Sequence, residues 1–164
     1  MNTNNNTSFS IRFATKQDVP LILAFIKELA DYEKLLPEVV ATESVLEETL
    51  FGPHKTAEVI LGYEKNEPVS FALFFHNFST FLGRPGIYIE DLYVKDTQRG
   101  KGIGQKMLQF LARLALERKC GRLEWWVLDW NEPAIQFYKK IGALPMDEWT
   151  VFRMTEEALK KMAE

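Results

Sequence analysis

Within six positions the chain sets an arginine, a lysine and three glycines: Arg99-Gly100-Lys101-Gly102-Ile103-Gly104. Gln105 and an apolar pattern of helical period follow. Glycines let backbone amides approach an anion with no Cβ in the way. A helix start adds unpaired N–H groups and a partial positive charge. Arg99 and Lys101 add full charges. Such a loop at the mouth of a helix suits a phosphate or pyrophosphate. Two familiar phosphate loops are excluded by their spelling. GxxxxGK[ST] is absent, and GxGxxG fails because Gln105 or Met107 stands where its last glycine is needed. What remains is R-x-x-G-x-G.

A second stretch, GIYIEDLYV at 86–94, carries adjacent acids, Glu90 and Asp91, in an otherwise apolar run. Strand alternation puts Ile87, Ile89, Asp91 and Tyr93 on one face, and Tyr88, Glu90, Leu92 and Val94 on the other. The acids suit attraction of a cation, or exposure at a sheet edge. Tyr138, seven residues after Asn131, sits in a segment of helical period beside Phe137 and would also suit a core. One cysteine, Cys120, excludes an internal disulfide. His54 and His76 stand at unrelated spacing, so no metal site is expected.

These residues need elements to hold them. SFSIRFAT alternates and reads as a strand. Thr15 or Asp18 then caps a helix to about Glu33, with Pro20 tolerated near its first turn. Thr42 starts a second helix that Gly52 ends. AEVILGY and VSFALFFHNF form a hairpin about the turn EKNEP. GIYIEDLYV, the glycine loop and a helix to about Lys119 follow. RLEWWVL is a strand, Asn131 caps the helix EPAIQFYKKI, EWTVFRM is a last strand and TEEALKKMA a last helix. The order βααβββαβαβα predicts an α/β fold, a mixed sheet with helices on both faces.

The chain has 164 residues, 46% of them hydrophobic, enough for one domain over 9–164 after a polar tail at 1–8. That tail, MNTNNNTS, lacks a charged start and an apolar block, so it is not read as a secretory signal. No apolar run is long enough for a bilayer. The expected location is cytoplasmic. Charge is uneven: residues 1–98 carry 14 acids and 8 bases, while 99–164 carry 9 acids and 12 bases. A cationic substrate fits the first part and an anionic ligand the second, although solvated surface would look the same. No basic excess points to nucleic acid.

R-x-x-G-x-G between strand and helix resembles motif A of the GCN5-related N-acetyltransferases, which grips the pyrophosphate of acetyl-CoA. IRFAT, IKELADYEKL, IEDLYV and WNEPAIQFYKKIGA are similar to the diamine (spermidine/spermine) acetyltransferase branch across most of residues 11–164. The resemblance implies a GNAT-like, mostly antiparallel sheet. It implies direct acetyl transfer from acetyl-CoA to a primary amine of a diamine- or polyamine-like molecule. A lysine-like amino acid, a protein amine, or acyl-CoA binding without turnover are the alternatives.

By the same resemblance Tyr138 protonates the leaving thiolate, and Glu90 receives the amine proton directly or through water. Leu92, Tyr93 and Val94 meet the pantetheine arm and thioester. Arg99, Gly100, Lys101, Gly102, Ile103, Gly104 and Gln105 hold the pyrophosphate. Asn131, Glu132, Pro133 and Ala134 add cofactor contacts. Tyr32, Glu33, Glu90, Glu124, Trp125, Trp126 and Asp147 meet the acceptor, although the two tryptophans suit a core equally well. Ile141 stands where a basic cofactor contact belongs. A homodimer is expected, with EWTVFRM suited to packing between subunits or within one chain.

Overall fold

The computed structural model describes residues 9–164, and the expected polar tail at 1–8 lies outside them. The elements run β1 (Phe9–Phe13), α1 (Val19–Tyr32), α2 (Glu43–Phe51), β2 (Glu58–Glu64), β3 (Glu67–Ser79) and β4 (Arg84–Val94). Then come α3 (Ile103–Glu117), β5 (Leu123–Trp125), α4 (Glu132–Lys140) and α5 (Glu156–Met162). Two compact units result, one ending at Trp126 and the other running Val127–Glu164. Among the described residues no helix is long and apolar enough to cross a membrane.

The first unit is built on one sheet in the order β1-β2-β3-β4-β5. Its pairs are antiparallel except β4–β5, which are parallel because α3 carries the chain back between them. On one face α1 and α2 lay Ile22, Phe25, Leu46 and Leu50 against Leu61, Phe71 and Tyr93. Phe25 stacks on Phe71 with ring centroids 5.3 Å apart; truncating such a buried ring costs about 3–5 kcal/mol. On the other face α3 presses close. A Cβ on Gly62 of β2 would fall 3.1 Å from the Met107 sulfur. Met107 and Leu111 are fully buried, as are Ile60, Ala72 and Ile87 of the sheet.

Local signals in the sequence act as expected here. Thr42 caps α2, its hydroxyl accepting the Val45 N–H at 3.3 Å. Pro20 falls in the first turn of α1, where its missing N–H is not needed. Lys65 and Asn66 take positive φ at the β2–β3 turn, matching the right-handed twist of the hairpin.

The mixed class and both helical layers hold, with three departures. The expected last strand, EWTVFRM, is irregular. A strand needs a ladder partner, and the unit Val127–Glu164 contains no other strand. Its Trp149, Val151 and Phe152 are exposed instead. RLEWWVL is extended only over Leu123–Trp125, where it pairs with Ile87–Ile89. Finally, β4 does not alternate throughout. Leu73 pairs with Asp91 while Phe74 pairs with Ile89, so Glu90 is the extra residue of a β-bulge. The two halves of β4 are therefore out of phase. Asp91 and Tyr93 lie on the α1 face with Leu73 and Phe71, whereas Ile87 and Ile89 lie on the α3 face, correcting the expected single row.

Candidate functional site

The glycine loop leads from β4 into α3 as expected. Gly100 and Gly102 take φ of +75° and +76°, a left-handed backbone that side chains disfavour. A Cβ on either would meet nothing within 4 Å, so the loop faces open space. The first helical bond runs from Lys106 N–H to Gly102 O. The amides of Ile103, Gly104 and Gln105 therefore have no acceptor inside the helix and form a set of donors at its positive end.

The cations are arranged less simply. Arg99 turns back: its Nε donates to Val94 O at 3.0 Å and its Nη2 lies 2.8 Å from Asp96 Oδ1. Its guanidinium covers the Tyr32 ring at 4.1 Å. Arg99 thus fastens the loop to the end of α1, and Asp96 offsets part of its charge. Lys101 Nζ donates to Gln98 Oε1 at 2.7 Å from an exposed position. Tyr32, expected at the acceptor, is the stacking partner of Arg99.

Beyond the bulge, β4 keeps its ladder to β3 as far as Val94, whereas the ladder to β5 stops at Ile89. β5 itself ends at Trp125, so Leu92, Tyr93 and Val94 lie beyond its ladder. Val94 lies on the α3 side, 3.8 Å from a Cβ placed on Gly104. Tyr93 packs edge-on to Phe25 with centroids 6.1 Å apart. Burial, with Glu28 and Asp96 nearby, pushes its phenol up to about 12, so it stays protonated.

The bulge also gathers carboxyl groups. Glu90 is exposed. Asp91 is half-buried on the α1 face, and burial, with Glu90 and Glu33 as neighbouring like charges, pushes its carboxyl up to about 6. Burial likewise raises Glu33, at the C-cap of α1. Asp91 was named in the sequence only as the neighbour of Glu90. The doubled acid was the available signal, but which carboxyl turns inward depends on the bulge.

Further along this face, Glu124 pairs across from Tyr88. Its Oε2 accepts from Asn77 Nδ2 at 2.7 Å and lies 2.8 Å from Arg122 Nε. Trp126 meets Tyr88 edge-on, centroids 5.7 Å apart. Trp125 pairs with Ile89 and so lies on the opposite, α3 face. Asn77 and Arg122 were not singled out in the sequence; neither belongs to a motif.

The second unit holds the other candidates. Asn131 occupies the N-cap position of α4, and its carbonyl accepts the N–H groups of Ala134 and Ile135 at 3.1 Å each. Glu132 and Pro133 fill the first turn, and Glu132 Oε1 accepts from Gln136 Nε2 at 2.6 Å. Tyr138 is half-buried, its ring tilted against Phe137 with centroids 5.5 Å apart. Asp147 is exposed in a turn closed by Trp149 N–H to Met146 O.

One family profile and three known proteins bear on this arrangement. The Acetyltransferase (GNAT) family profile matches residues 25–143. A thialysine N-epsilon-acetyltransferase of Bos taurus is 39% identical over 93% of this chain and 96% of its own. An L-ornithine N5-acetyltransferase of Arabidopsis thaliana is 33% identical over 92% of this chain and 86% of its own. Among solved structures, an integron cassette protein from V. cholerae superimposes with a TM-score of 0.81 at 29% identity, covering 96% of this chain and 98% of that one.

Proposed function

The chain belongs to the GNAT acetyltransferase family and is an N-acetyltransferase; on that premise we propose that it carries acetyl from acetyl-CoA to a primary amine of a small diamine- or polyamine-like acceptor. The observation that carries the acceptor assignment is the group Glu33, Glu90 and Asp91 at the bulge of β4, just past the end of its ladder to β5. Several carboxyl groups close to one point favour an acceptor with more than one positive charge. The relatives named for thialysine and ornithine act on molecules of that kind.

The residues fit the co-substrate. The positive-φ glycines leave room for a pyrophosphate, and the amides of Ile103, Gly104 and Gln105 supply donors. Arg99 holds the loop in shape, and Lys101 lies at its exposed side. The edge of β4 at Leu92, Tyr93 and Val94 can hydrogen-bond the amides of a pantetheine arm in the manner of an added strand. Asn131, Glu132, Pro133 and Ala134 offer a second helix start.

In the reaction, Glu90 or Asp91 takes a proton from the incoming ammonium, directly or through water. A carboxyl held near 6 is better matched to that task at neutral pH than one of ordinary strength. The freed amine nitrogen bonds to the acyl carbon, the carbon–sulfur bond breaks, and the second proton that the nitrogen sheds in becoming an amide passes to solvent. The Tyr138 hydroxyl gives its proton to the departing thiolate and is reprotonated from solvent. Acetyl transfer of this kind needs no covalent intermediate on the protein. Glu124 and Trp126 border the acceptor on the α1 face, with Asp147 a further contact. We also assign the protein to the cytoplasm and a homodimer in which EWTVFRM, exposed and without a strand partner in its unit, packs between subunits. A monomer mass by light scattering would remove the dimer.

The test is free-thiol release from acetyl-CoA with a matched diamine and monoamine of equal length. The diamine should have the higher kcat/KM, and added salt should narrow the difference by screening. Equal values would rule out the acidic acceptor site.

A further inference from the structure

The sheet face that carries Asp91 also carries a cation whose hydrogen-bonding capacity is not used up. Arg122 and Glu124, two residues apart on β5, point to the same side. The Arg122 Nε lies 2.8 Å from Glu124 Oε2 but is too poorly aligned to bond it, and it is buried without a hydrogen-bond partner. Arg122 Nη2 reaches only the Phe78 carbonyl, at the long distance of 3.5 Å. Asn77 donates to Glu124 from Nδ2 at 2.7 Å, while its Oδ1 is buried and unpaired. Gly86 makes this possible. A Cβ there would stand 2.4 Å from Asn77 Oδ1 and 2.9 Å from Arg122 Cγ, so the glycine lets both side chains lie flat on the sheet.

An exposed ion pair on its own contributes little, and native chains rarely leave buried polar atoms unpaired without a use for them. The Arg122 side chain keeps 37% of its exposure and Glu124 36%. The guanidinium thus offers N–H donors, and Glu124 a carboxylate oxygen, side by side to one visitor. A group that is anionic and cationic at adjacent atoms matches that pair. A plain second ammonium matches only half of it.

We propose that Arg122, Glu124 and Asn77 form a head-group site for an α-amino acid, with Arg122 holding the α-carboxylate and Glu124 the α-ammonium. The acceptor is then a basic amino acid whose side-chain amine reaches the bulge. This rests on the transferase reading above and narrows it. The spacing fits. Glu124 is level with Tyr88, and Asp91 lies further along β4 with Glu90 bulged out between. At about 3.3 Å per strand residue that separation is roughly 7–10 Å. An amino-acid side chain of three or four methylenes spans about 5–6 Å from its α-carbon to its terminal nitrogen. The carboxylate side chains at each end bridge the remainder. Tyr88 and Trp126, ring against ring on the same face, give the methylenes an apolar wall.

The experiment compares L-ornithine, its methyl ester and putrescine as acceptors in the thiol-release assay, with the full chain and saturating acetyl-CoA. Ornithine and putrescine differ by the carboxylate, and the ester removes its charge. The wild type should prefer ornithine to both by roughly 10- to 100-fold in kcat/KM, the discrimination expected of a charge-assisted pair. Mass spectrometry should find acetyl on the side-chain nitrogen. Arg122→Met should lower the ornithine-to-putrescine ratio by a similar factor, and Arg122→Lys by less. If Arg122→Met fails to fold, the ester comparison in the wild type decides alone. A preference for putrescine, or an ester as good as the acid, overturns the head-group site and leaves the transferase reading standing. No transfer to any amine, with acetyl-CoA binding intact by calorimetry, overturns both.

Discussion

Replacing Asp91 with asparagine keeps the shape of the side chain and removes its charge, so the cost of holding that charge in the fold becomes measurable. The carboxyl stands at about 6 in the folded chain against an ordinary 3.8. The difference is about two decades, or ~3 kcal/mol at 1.36 per decade. Asp91 is only half-buried, and solvent screening reduces this to ~1–2 kcal/mol. The sign follows from linkage. Below 3.8 the group is protonated in both states and carries no penalty. Between 3.8 and 6 the unfolded chain ionises first, so stability falls as pH rises. Above 6 the penalty is complete and constant. Asp91→Asn should therefore match the wild type near pH 4 and exceed it at pH 7–8, by ~2–8 °C in Tm for a chain of this size. Scanning calorimetry at stepped pH reads the difference. Acetyl transfer should move the other way, with kcat/KM reduced and a wild-type limb near pH 6 lost. A Tm difference that is the same at every pH, or a variant less stable than wild type at pH 8, would show that Asp91 carries no penalty for its burial and would remove the case for a tuned acid there.

Gly102→Val should leave the fold largely intact, since its Cβ meets open space, at a conformational cost of ~1–2 kcal/mol for the left-handed backbone. Its KM for acetyl-CoA should rise, and unchanged acetyl-CoA binding by calorimetry in the folded variant refutes the cradle. Tyr138→Phe should lower kcat by ~10²–10⁴-fold with little change in KM for acetyl-CoA; a kcat within about threefold of wild type would assign the proton to another donor. Asp18 accepts two bonds from Arg12 at 2.7 Å and one from Thr15 N–H at 2.7 Å, which lower its carboxyl to about 2. Asp18→Asn should thus cost ~1–2 kcal/mol at pH 7, a loss that shrinks as pH falls from 3.8 through 2; melts showing an equal loss at pH 2 count against the ion pair.

The sequence by itself determined whatever depends on a few adjacent residues. Gly100 and Gly102 marked a backbone that side chains avoid, Thr42 and Pro20 marked helix starts, and the periodicity of Ile103 to Leu114 marked the helix behind the glycine loop. The motif spelling reached as far as the family, because R-x-x-G-x-G and WNEPAIQFY are short continuous stretches. Tertiary structure alone decided what depends on register and on approach between distant segments. The bulge at Glu90 exists only in the pairing of β4 with β3, and it turned Asp91 to the α1 face, where burial first, and then Glu90 and Glu33, raise its carboxyl. Arg99 spends its guanidinium on Tyr32, far earlier in the chain, instead of leaving it free at the loop. Glu124 and Trp126 were separated from Trp125 by the two-residue period of β5, fixed only once Ile87–Ile89 supplied the ladder. EWTVFRM had the composition of a strand and lacked a partner for its backbone. Desolvation and the nearness of like charges are properties of folded space, so the sequence could name the acids of this site but not which one the fold would raise to about 6.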